Sequence, residues 1–538
     1  MPFSSPYGDC PPCTQPLHEV LLESIDRVVK EDPDRKAFIK AEDEGDFVRY
    51  SDLRAQSSSI AEFLHRHNLS RTTVSTLMFS TFKICVLAIG SSMEGCILAS
   101  MNPMLTDVEV EKMIETSESS VIMTDKENLG RVLRLKEKMK NIKMVIIDGE
   151  PGPSGIFTWS EVILTQVDPA RPKMAIRPDD IVLLPFSSGT TGKPKAVMLS
   201  HTNISTMMKM RQIHRRCLGQ QMTRQGQVSG QGSSGVRPAE IKMIAYSIFH
   251  QSGLGASFFA LMDGATSIVL SRFEETRFLE IIHKYKLSNI ATVPSTIVLL
   301  AKNKDAADYT SSLRLIISGA APLGRELCQQ VEHKCRLKIS QGYGCTELTL
   351  SSHLPDLQTF GKPGSSGKLL PGLMAKIVDK YGNEVPLGQS GELCVKGPTV
   401  MVGYKNNQAA NEETIREEWL FTGDHVRMDE DGDIFILERE KEMLKVNSLQ
   451  VAPAEIEEEL LKNQRILDCA VIGVADDVLG EVPKAFVVRG DDNLTEQEVM
   501  NDLKDLAEFK QLRGGVEFIE EVPRNHAGKI LRKNLRNL

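Results

Sequence analysis

The sequence lacks several features that would restrict its function. Its most apolar stretch, ICVLAIGSSMEGCILASM, contains Glu94 and several serines, so it predicts a buried helix and strand and no transmembrane segment. Neither sign of charge dominates, because 64 basic residues stand against 72 acidic ones for a net charge of −8. That mild acidity argues against nucleic acid as the main partner. No basic-then-apolar signal pattern opens the chain.

Cysteine is sparse as well. Ten cysteines in 538 residues are too few for a disulfide scaffold, and most lie singly in apolar surroundings. We therefore expect buried, reduced thiols and a reducing compartment, either cytoplasmic or peroxisomal. Cys10 and Cys13 form one C-x-x-C, but a metal site would need a second pair of ligands, which is absent. The final Arg-Asn-Leu shares only its last residue with the peroxisomal Ser-Lys-Leu signal.

The length of the chain and the changes in composition along it predict several domains. At roughly 150 residues per domain, the chain has room for three or four domains or subdomains, and internal repeats are not evident. The Gln/Gly/Ser-rich segment 219–235 predicts a flexible insertion. Residues 442–538 predict a small α+β domain, with a helix opened by Pro453, strands in RILDCAVIGVAD and PKAFVVRG, and a helix in TEQEVMNDLKDLAEF. We place its boundary in the charged run 439–441, after a larger domain over 1–438.

Three segments of the larger domain share one pattern. The apolar runs IVLLPF (181–186), LRLII (313–317) and LKIS (337–340) predict strands, and each is followed by a loop of small residues. Ligands in open α/β sheets gather beyond the carboxyl ends of strands. The pattern predicts an α/β fold in which the three loops meet at one pocket.

The first of these loops, SSGTTGKPK (187–195), is rich in backbone donors, hydroxyls and lysines. On its own, such a cluster is more often a solvated turn. It is not the Walker A phosphate loop, because Gly189 and Gly192 are too close and Pro194 follows Lys193.

The wider stretch FSSGTTGKPKAVMLSHTN (186–203) resembles the phosphate loop of the adenylate-forming enzymes. These include acyl-CoA synthetases, 4-coumarate–CoA ligases, beetle luciferases and peptide-synthetase adenylation domains. The resemblance continues in order along the chain, in NP (102–103), SGAAPLG (318–324), QGYGCTE (341–347), GELCVKGPTVMVGY (391–404), WLFTGD (419–424), QVAPAEIE (450–457) and AGKILRK (527–533). It implies a large domain of α/β subdomains with a β-rich subdomain, followed by a small mobile α+β domain.

The resemblance also implies the chemistry. Such enzymes join a carboxylate to the α-phosphate of ATP with loss of pyrophosphate, so cations and N–H donors must surround two anions. Glu347 matches the family's Mg²⁺ carboxylate, and Thr346 matches a contact to the α-phosphate. Taken alone, a glutamate such as Glu347 is more often a helix-start acid. The residues implied to hold ATP are Ser187, Ser188, Gly189, Thr190, Thr191, Gly192, Lys193, Lys195, Gly319, Ala320, Ala321, Gln341, Gly342, Tyr343, Gly344, Thr346, Asp424 and Arg439.

Within that set, Tyr343 would face the adenine, although a lone tyrosine is more often a core aromatic. Asp424 would accept hydrogen bonds from the ribose hydroxyls, and Arg439 would reach the same sugar. His250, in YSIFHQSGLG, matches the histidine of the acyl pocket, with Ser247 where the family usually has proline. A satisfied core histidine is the competing interpretation for His250.

The family's two-step cycle implies further roles in the small domain. Lys529 matches the lysine that bridges the carboxylate and the α-phosphate during adenylation. The small domain would then swing about a hinge at Lys441, which withdraws Lys529 and presents a different face, with Lys445, for the attack of the CoA thiol on the adenylate. The resemblance therefore implies an AMP-forming acid–thiol ligase that uses ATP, Mg²⁺ and CoA, with a carboxylic acid as its small-molecule substrate.

The chain departs from the family pattern at a few positions. Ala196 replaces a glycine and Ala527 a serine or threonine, which are minor changes. Asn447 replaces a lysine and Ser448 a glycine where the CoA thiol arm would lie. The acceptor could therefore be CoA, a carrier-protein thiol or another nucleophile, and a catalytically reduced binding or regulatory protein is a further alternative. The identity of the acid and the oligomeric state are not readable from the sequence.

Overall fold

The computed structural model describes residues 2–152, 154–187, 195–224, 240–320, 323–356, 360–439, 444–446, 449–451, 453–476, 480–504, 506, 508–524 and 530–536. At 218–224, 438–439, 445, 449–450 and 509 only the backbone is described. The α-helices are Leu17–Glu31, Tyr50–Arg66, Phe82–Met93, Asp107–Ser117, Leu129–Lys138, Trp159–Ile163, His201–Arg224, Gln251–Asp263, Glu275–Tyr285, Pro294–Lys302, Ala306–Tyr309, Arg325–Cys335, Gln408–Thr414, Pro453–Leu460, Glu496–Asn501 and Arg532–Leu535.

A mixed sheet of nine strands forms the first α/β layer. Its central strand, Thr73–Leu77, is buried along its whole length, as expected of a parallel strand covered on both faces. The strands follow the order Phe186–Ser187, Lys195–Ser200, Ile181–Leu183, Ile97–Met101, Thr73–Leu77, Ser119–Asp125, Met144–Asp148 and Phe157–Thr158, and Gly403–Tyr404 pairs with Lys195–Ser200. The apolar stretch around Glu94 forms the helix Phe82–Met93 and the strand Ile97–Met101, as predicted.

Two smaller sheets complete the α/β part. One has the order Ile241–Ile244, Thr266–Val269, Lys36–Lys40 and Phe47–Arg49, and the other is the parallel set Asn289–Thr292, Leu315–Ser318 and Lys338–Gln341. The loops that follow Leu315–Ser318 and Lys338–Gln341 leave adjacent parallel strands at the same edge. That shared direction brings the second and third predicted loops together.

A separate antiparallel sheet forms the β-rich part of the chain. Its order is Phe3–Ser4, Met374–Val378, Ser390–Lys396, Trp419–Met428 and Ile415–Arg416, with Ile434–Arg439 also paired to Trp419–Met428. In that last pairing Asp424 lies opposite Arg439 in register. A short antiparallel pair, His353–Leu354 with Lys368–Leu369, lies between the α/β and β-rich parts of the sequence.

The C-terminal part has its own sheet and core. The strands follow the order Leu449–Val451, Leu444–Val446, Gly480–Arg489 and Ile466–Asp476, and Val516–Phe518 pairs with Gly480–Arg489. The helix Pro453–Leu460 begins at Pro453 and buries Ile456 and Leu460 in a core separate from that of the larger part. The predicted α/β architecture with a small α+β C-terminal domain is confirmed.

Two local predictions were wrong. The helix His201–Arg224 runs through the first residues of the predicted 219–235 insertion, because Gln, Met and Arg sustain a helix; residues 225–239 lie outside the described part. The helix expected over TEQEVMNDLKDLAEF covers only Glu496–Asn501. The chain turns after it, and Leu503 and Leu512 are then buried in the same small core.

Candidate active site

A cavity of about 430 Å³ lies where the predicted loops meet. Its wall contains residues that follow the strands Leu315–Ser318 and Lys338–Gln341. The wall also contains Ser187 and Lys195, which are the first and last residues of the stretch SSGTTGKPK. The prediction that the three loops share one pocket is confirmed for their described residues. The predicted site residues in the wall are Ser187, Lys195, His250, Gly319, Ala320, Gly342, Tyr343, Gly344, Thr346 and Glu347.

Tyr343 and Asp424 join two distant motifs at one side of the cavity. The Tyr343 hydroxyl donates a hydrogen bond of 2.6 Å to Asp424 Oδ2. Antiparallel pairing to His353 fixes the backbone of Tyr343. Burial, together with the negative charge of Asp424, raises the pKa of Tyr343 well above its ordinary value, so the phenol stays protonated and remains a donor.

Asp424 itself is not part of the cavity wall. Only 5% of its surface is exposed, and the neighbouring Thr422 and Gly423 form the wall instead. The Asp424 backbone N–H donates to Thr422 Oγ1 at 3.1 Å, which fixes the turn that carries the carboxylate. The structure thus shows Asp424 as a buried acceptor beneath Tyr343, with the backbone of Arg439 opposite it in the sheet.

Glu347 occupies a second corner of the cavity. It lies in the short 3₁₀ helix Thr346–Leu348, and its Oε1 accepts a 2.9 Å hydrogen bond from the Tyr404 hydroxyl. Lys195 Nζ is 4.8 Å from the centroid of the Tyr404 ring, so a cation, a phenol and a carboxylate share this corner. Burial and the charge of Glu347 raise the pKa of Tyr404 above its ordinary value.

Small residues form the facing wall. Gly319 lies close to Tyr246. The Tyr246 hydroxyl donates a hydrogen bond of 2.7 Å to the carbonyl oxygen of Thr292. Ala320 has a φ of 73°, in the left-handed region that a side chain rarely adopts. Gln341 is buried and bonds the backbone of Leu323 through both ends of its amide, so it holds the loop in shape and does not form part of the cavity wall.

His250 stands at the start of the helix Gln251–Asp263 and caps it. Its Nδ1 accepts from the Ser252 backbone N–H at 3.3 Å. The ring is exposed to the cavity, yet the surrounding protein still lowers its pKa from the ordinary value by desolvation. A neutral imidazole exposed to the lumen does not fit the competing interpretation of a satisfied core histidine. Gly253 and Gly255, on the same helix, pack against Ser247 and Leu350.

Several predicted residues lie outside the described part of the chain. They are Ser188, Gly189, Thr190, Thr191, Gly192, Lys193, Ala321, Lys441, Asn447, Ser448 and Lys529. For Arg439 and Lys445 only the backbone is described, in the strands Ile434–Arg439 and Leu444–Val446.

Comparison with known proteins agrees with this geometry. The sequence profile of the AMP-binding enzyme family matches residues 25–405, and that of the AMP-binding enzyme C-terminal domain matches residues 455–529. This chain belongs to the AMP-binding enzyme family. It is therefore a member of the adenylate-forming superfamily, whose enzymes form an acyl-adenylate and then a CoA thioester, and the predicted class of acid–thiol ligase is confirmed at the level of the family.

Named relatives span nearly the whole of this AMP-binding enzyme. It is 34% identical over 534 residues to 4-coumarate–CoA ligase 2 from Nicotiana tabacum, covering 97% of this chain and 94% of that protein. It is 32% identical over 530 residues to acyl-CoA synthetase 7 from Caenorhabditis elegans, covering 97% and 96%. The crystal structure of ATP-bound MatB from Rhodopseudomonas palustris matches with a TM-score of 0.81 at 26% identity, covering 96% of this chain and 98% of that one.

Sequence analysis did not single out several residues in the wall of the AMP-binding enzyme's cavity, among them Tyr404, Tyr246, Glu392 and Arg211. Tyr404 ends the GELCVKGPTVMVGY motif and Tyr246 begins YSIFHQSGLG, so both carried a signal that was available. Glu392 is also in a recognised motif, and its Oε1 accepts from the Gly423 backbone N–H at 2.8 Å. Arg211, on the helix His201–Arg224, belongs to no motif, and only the fold places it in the wall.

In this AMP-binding enzyme, a site for a magnesium ion would depend on Glu347. Within the described residues no group of three or more His, Cys, Asp or Glu side chains could hold a metal by itself. Glu347 lines the cavity with its carboxylate bonded to a neutral phenol, and no described cation forms an ion pair with it. A single unneutralised carboxylate suits Mg²⁺ that takes its other ligands from water and phosphate.

Other features of the AMP-binding enzyme bear on its surroundings. All ten cysteines are free thiols, and Cys10 and Cys13 are buried in the main core. None of the helices in the described ranges has the length and apolar character needed to cross a bilayer.

Proposed function

We propose that this enzyme activates a carboxylic acid with ATP and transfers the acyl group to the thiol of CoA. In the first step a carboxylate oxygen attacks the α-phosphorus of ATP, and the bond to pyrophosphate breaks. In the second step the CoA sulfur attacks the acyl carbon of the adenylate, AMP leaves, and the thiol proton passes to solvent. The observation that carries the proposal is one cavity whose wall contains residues of the nucleotide motifs together with His250.

The nucleotide half of this proposal assigns roles to described residues. We expect adenine to lie against Tyr343 and the wall of Gly319 and Ala320, where the absence of bulky side chains permits close approach. The ribose would lie over the turn that carries Asp424. Lys195 would attract the phosphates, and Glu347 would hold Mg²⁺, which neutralises phosphate charge and favours the departure of pyrophosphate. MatB, a protein of the same fold, is described as ATP-bound, which supports ATP as a ligand of this fold.

The acid would enter on the side of His250. Its carboxylate must lie between His250 and Thr346 to reach the α-phosphate, and both residues are in the wall of the cavity. A neutral His250 can donate one hydrogen bond to the carboxylate without adding charge, and its Nδ1 is already used as the acceptor of the helix cap. The imidazole therefore presents its other nitrogen to the cavity.

The domain division is part of the proposal. Residues 1–438 would form the nucleotide and acyl-binding body, 439–441 the hinge, and 442–538 a mobile cap. Lys529 would serve adenylation and Lys445 the thioester step, with Lys441 at the pivot. The separate hydrophobic core of the C-terminal part supports a unit that can move as a body.

We also propose a reducing compartment, cytoplasmic or peroxisomal, which ten free thiols support.

A second acceptor remains a distinct candidate because of two residues. Asn447 and Ser448 stand where the family has lysine and glycine beside the thiol arm of CoA. A side chain at Ser448 narrows the approach, and Asn447 removes a positive charge that would attract CoA phosphates. In this alternative the enzyme still forms the adenylate but passes it to a carrier-protein thiol or another nucleophile.

One assay distinguishes these functions. Pyrophosphate release is measured with a broad panel of carboxylic acids, with and without CoA, and the thioester is quantified by mass. We expect release with at least one acid and a thioester in the presence of CoA. Release without a thioester would favour the second acceptor. Absence of both release and ATP–pyrophosphate exchange across the panel would overturn the adenylation proposal.

A further inference from the structure

One charged residue of the cavity wall, Arg211, contacts an apolar ring. Arg211 lies on the helix His201–Arg224, and the apolar residues Met207, Ala256 and Phe259 belong to the same wall. The Arg211 guanidinium carbon is 5.5 Å from the centroid of the Phe259 ring, within range of a cation–π contact. An acyl pocket for a purely apolar acid gains nothing from a cation in this place.

Arg211 has no carboxylate partner in the described part of the chain. The two acids that attract it from a distance are Asp263 and Glu240. Asp263 is already paired with Arg215 and, at 2.6 Å, with Lys242 Nζ. Lys242 Nζ also lies 3.6 Å from Glu240 Oε2. Both nearby acids are thus held by other cations.

The charge of Arg211 persists in spite of this environment. Burial, reinforced by the like charge of Arg215, lowers the pKa of Arg211 from its ordinary value. A guanidinium nevertheless stays protonated in proteins, because its intrinsic pKa is so high. Arg211 is only partly exposed, and a partly desolvated charge without an ion-pair partner is unfavourable, so an anion bound in the cavity would offset that cost.

The position of Arg211 sets the length of such a ligand. Phe259, which the guanidinium contacts, follows His250 by nine residues along the helix Gln251–Asp263. At 1.5 Å per residue, that separation is about 13 Å. His250 marks the end at which the reacting carboxylate would lie under the proposed function. An acyl chain that runs along this helix from His250 would therefore meet Arg211 at its far end.

We propose that Arg211 binds a second carboxylate at the far end of the substrate acid. The substrate class is then an extended acid with an anionic group at each end: one carboxylate reacts with ATP, and the other pairs with the guanidinium. The planar fork of arginine matches a carboxylate in two parallel hydrogen bonds, which makes this contact selective as well as attractive. This inference rests on the proposed function, because it names the substrate class of the same site.

The test compares matched acids and matched variants. α,ω-Dicarboxylic acids of increasing chain length are compared with monocarboxylic acids of equal length in pyrophosphate release without CoA. We expect the wild type to prefer the dicarboxylate at a length that spans the pocket. Arg211→Met should lower kcat/KM for that acid by about tenfold or more, mainly through KM, since one charge-assisted contact is lost. The ratio of kcat/KM for the dicarboxylate to that for the monocarboxylate of equal length should therefore fall in Arg211→Met, and Arg211→Lys should retain part of the preference.

Arg216→Met is the control, because Arg216 lies on the same helix but is exposed to solvent. It should not alter the ratio between the two acids. If wild type uses both series equally and Arg211→Met affects both alike, Arg211 is structural and the inference is overturned while adenylation stands. If no acid supports pyrophosphate release, the proposed function fails. Calorimetric binding of the dicarboxylate then decides the inference: tighter binding to wild type than to Arg211→Met supports it, and equal or absent binding overturns it.

Discussion

At the scale of single residues, the contact between Tyr343 and Asp424 connects two motifs that are 81 positions apart. The phenol supplies a hydrogen bond to a carboxylate that has only 5% of its surface exposed. A buried carboxylate that loses a hydrogen-bond donor still bears the free-energy cost of its desolvation. Removing the donor therefore destabilises the protein by more than the net strength of the hydrogen bond itself. Tyr343 thereby holds the Asp424 turn in place beside the nucleotide pocket.

Tyr343→Phe tests this arrangement. We expect the KM for ATP in pyrophosphate release to rise and the denaturation midpoint to fall, because a hydrogen bond to a charged group contributes roughly 1.5–3 kcal/mol. Tyr381→Phe is the control, since Tyr381 is 77% exposed and should tolerate the change. Unchanged ATP kinetics and stability in Tyr343→Phe would mean that the contact has no role in the site.

The sequence was most informative about residues that share one motif and least informative about contacts between motifs and about residues outside them. Tyr343, Thr346 and Glu347 come from one contiguous motif, so their joint placement was predictable. The bond from Tyr404 to Glu347 spans 57 positions and depends on a strand pairing that local sequence does not specify. The position of Arg211 is harder to predict. The same helix carries two more arginines, of which Arg215 pairs with Asp263 and Arg216 is exposed to solvent, and local sequence does not distinguish the three.

At the scale of elements, a buried ion pair joins three pieces of the C-terminal part. Glu457, on the helix Pro453–Leu460, accepts 2.7 Å hydrogen bonds from the Val471 backbone N–H and from Arg532 Nη2. Arg532 Nε in turn donates 3.0 Å to the Val471 carbonyl. The pair therefore links two helices to the strand Ile466–Asp476. Burial raises the pKa of Glu457 above its ordinary value, and the charge of Arg532 opposes that rise.

This pair predicts a pH-dependent effect of Arg532→Met. Because the folded pKa of Glu457 is raised, its contribution to stability is complete below about pH 4.5 and is lost as pH rises through the folded pKa. Removing Arg532 raises that pKa further. The variant should lose about 3–5 kcal/mol near neutral pH and less at pH 5, measured by denaturant unfolding.

Lys462→Met is the matched control, because its ion pair with Glu459 is at the surface. It should change stability little at either pH. A loss in Arg532→Met that is the same at pH 5 and pH 8 would show that the pairing with Glu457 is not its cause.

The loop of the QGYGCTE motif (341–347) can be recognised in the sequence, but its backbone path cannot be predicted from the sequence. A Cβ at Gly344 would lie 2.0 Å from the Leu350 carbonyl oxygen, so the chain folds back tightly on itself within this motif. Leu350 has a φ of 136°, a conformation that no residue preference would suggest for leucine. Periodicity predicted the strand before this loop, Lys338–Gln341, correctly. The loop's path is set by packing against other elements.

At the scale of the whole molecule, the active site draws on several sheets. Lys195 belongs to the nine-stranded sheet, Gly319 and Tyr343 follow the three-stranded parallel sheet, and Asp424 lies in the antiparallel sheet. The order of motifs in the sequence identified the family and pointed to several residues that line the cavity. The sequence could not predict the size of the cavity or the presence of Arg211 in its wall, because these depend on how the sheets and helices pack.

The central claim is that the C-terminal domain delivers Lys529 to the nucleotide held by the larger domain. An ammonium group there would stabilise the charge that develops as two anions join, and loss of one such group typically costs about a hundredfold or more in rate. The thioester step should not need it, because the adenylate already exists by then. Lys533, an exposed lysine four positions further along the chain, provides a control in the same domain.

The most direct measurement is therefore to separate the two half-reactions in Lys529→Ala. Pyrophosphate release is followed with acid and ATP, and thioester formation is followed with supplied acyl-AMP and CoA. The account predicts that Lys529→Ala loses the first activity by about a hundredfold or more and keeps the second, while Lys533→Ala keeps both. Pyrophosphate release by Lys529→Ala at the wild-type rate would contradict the account.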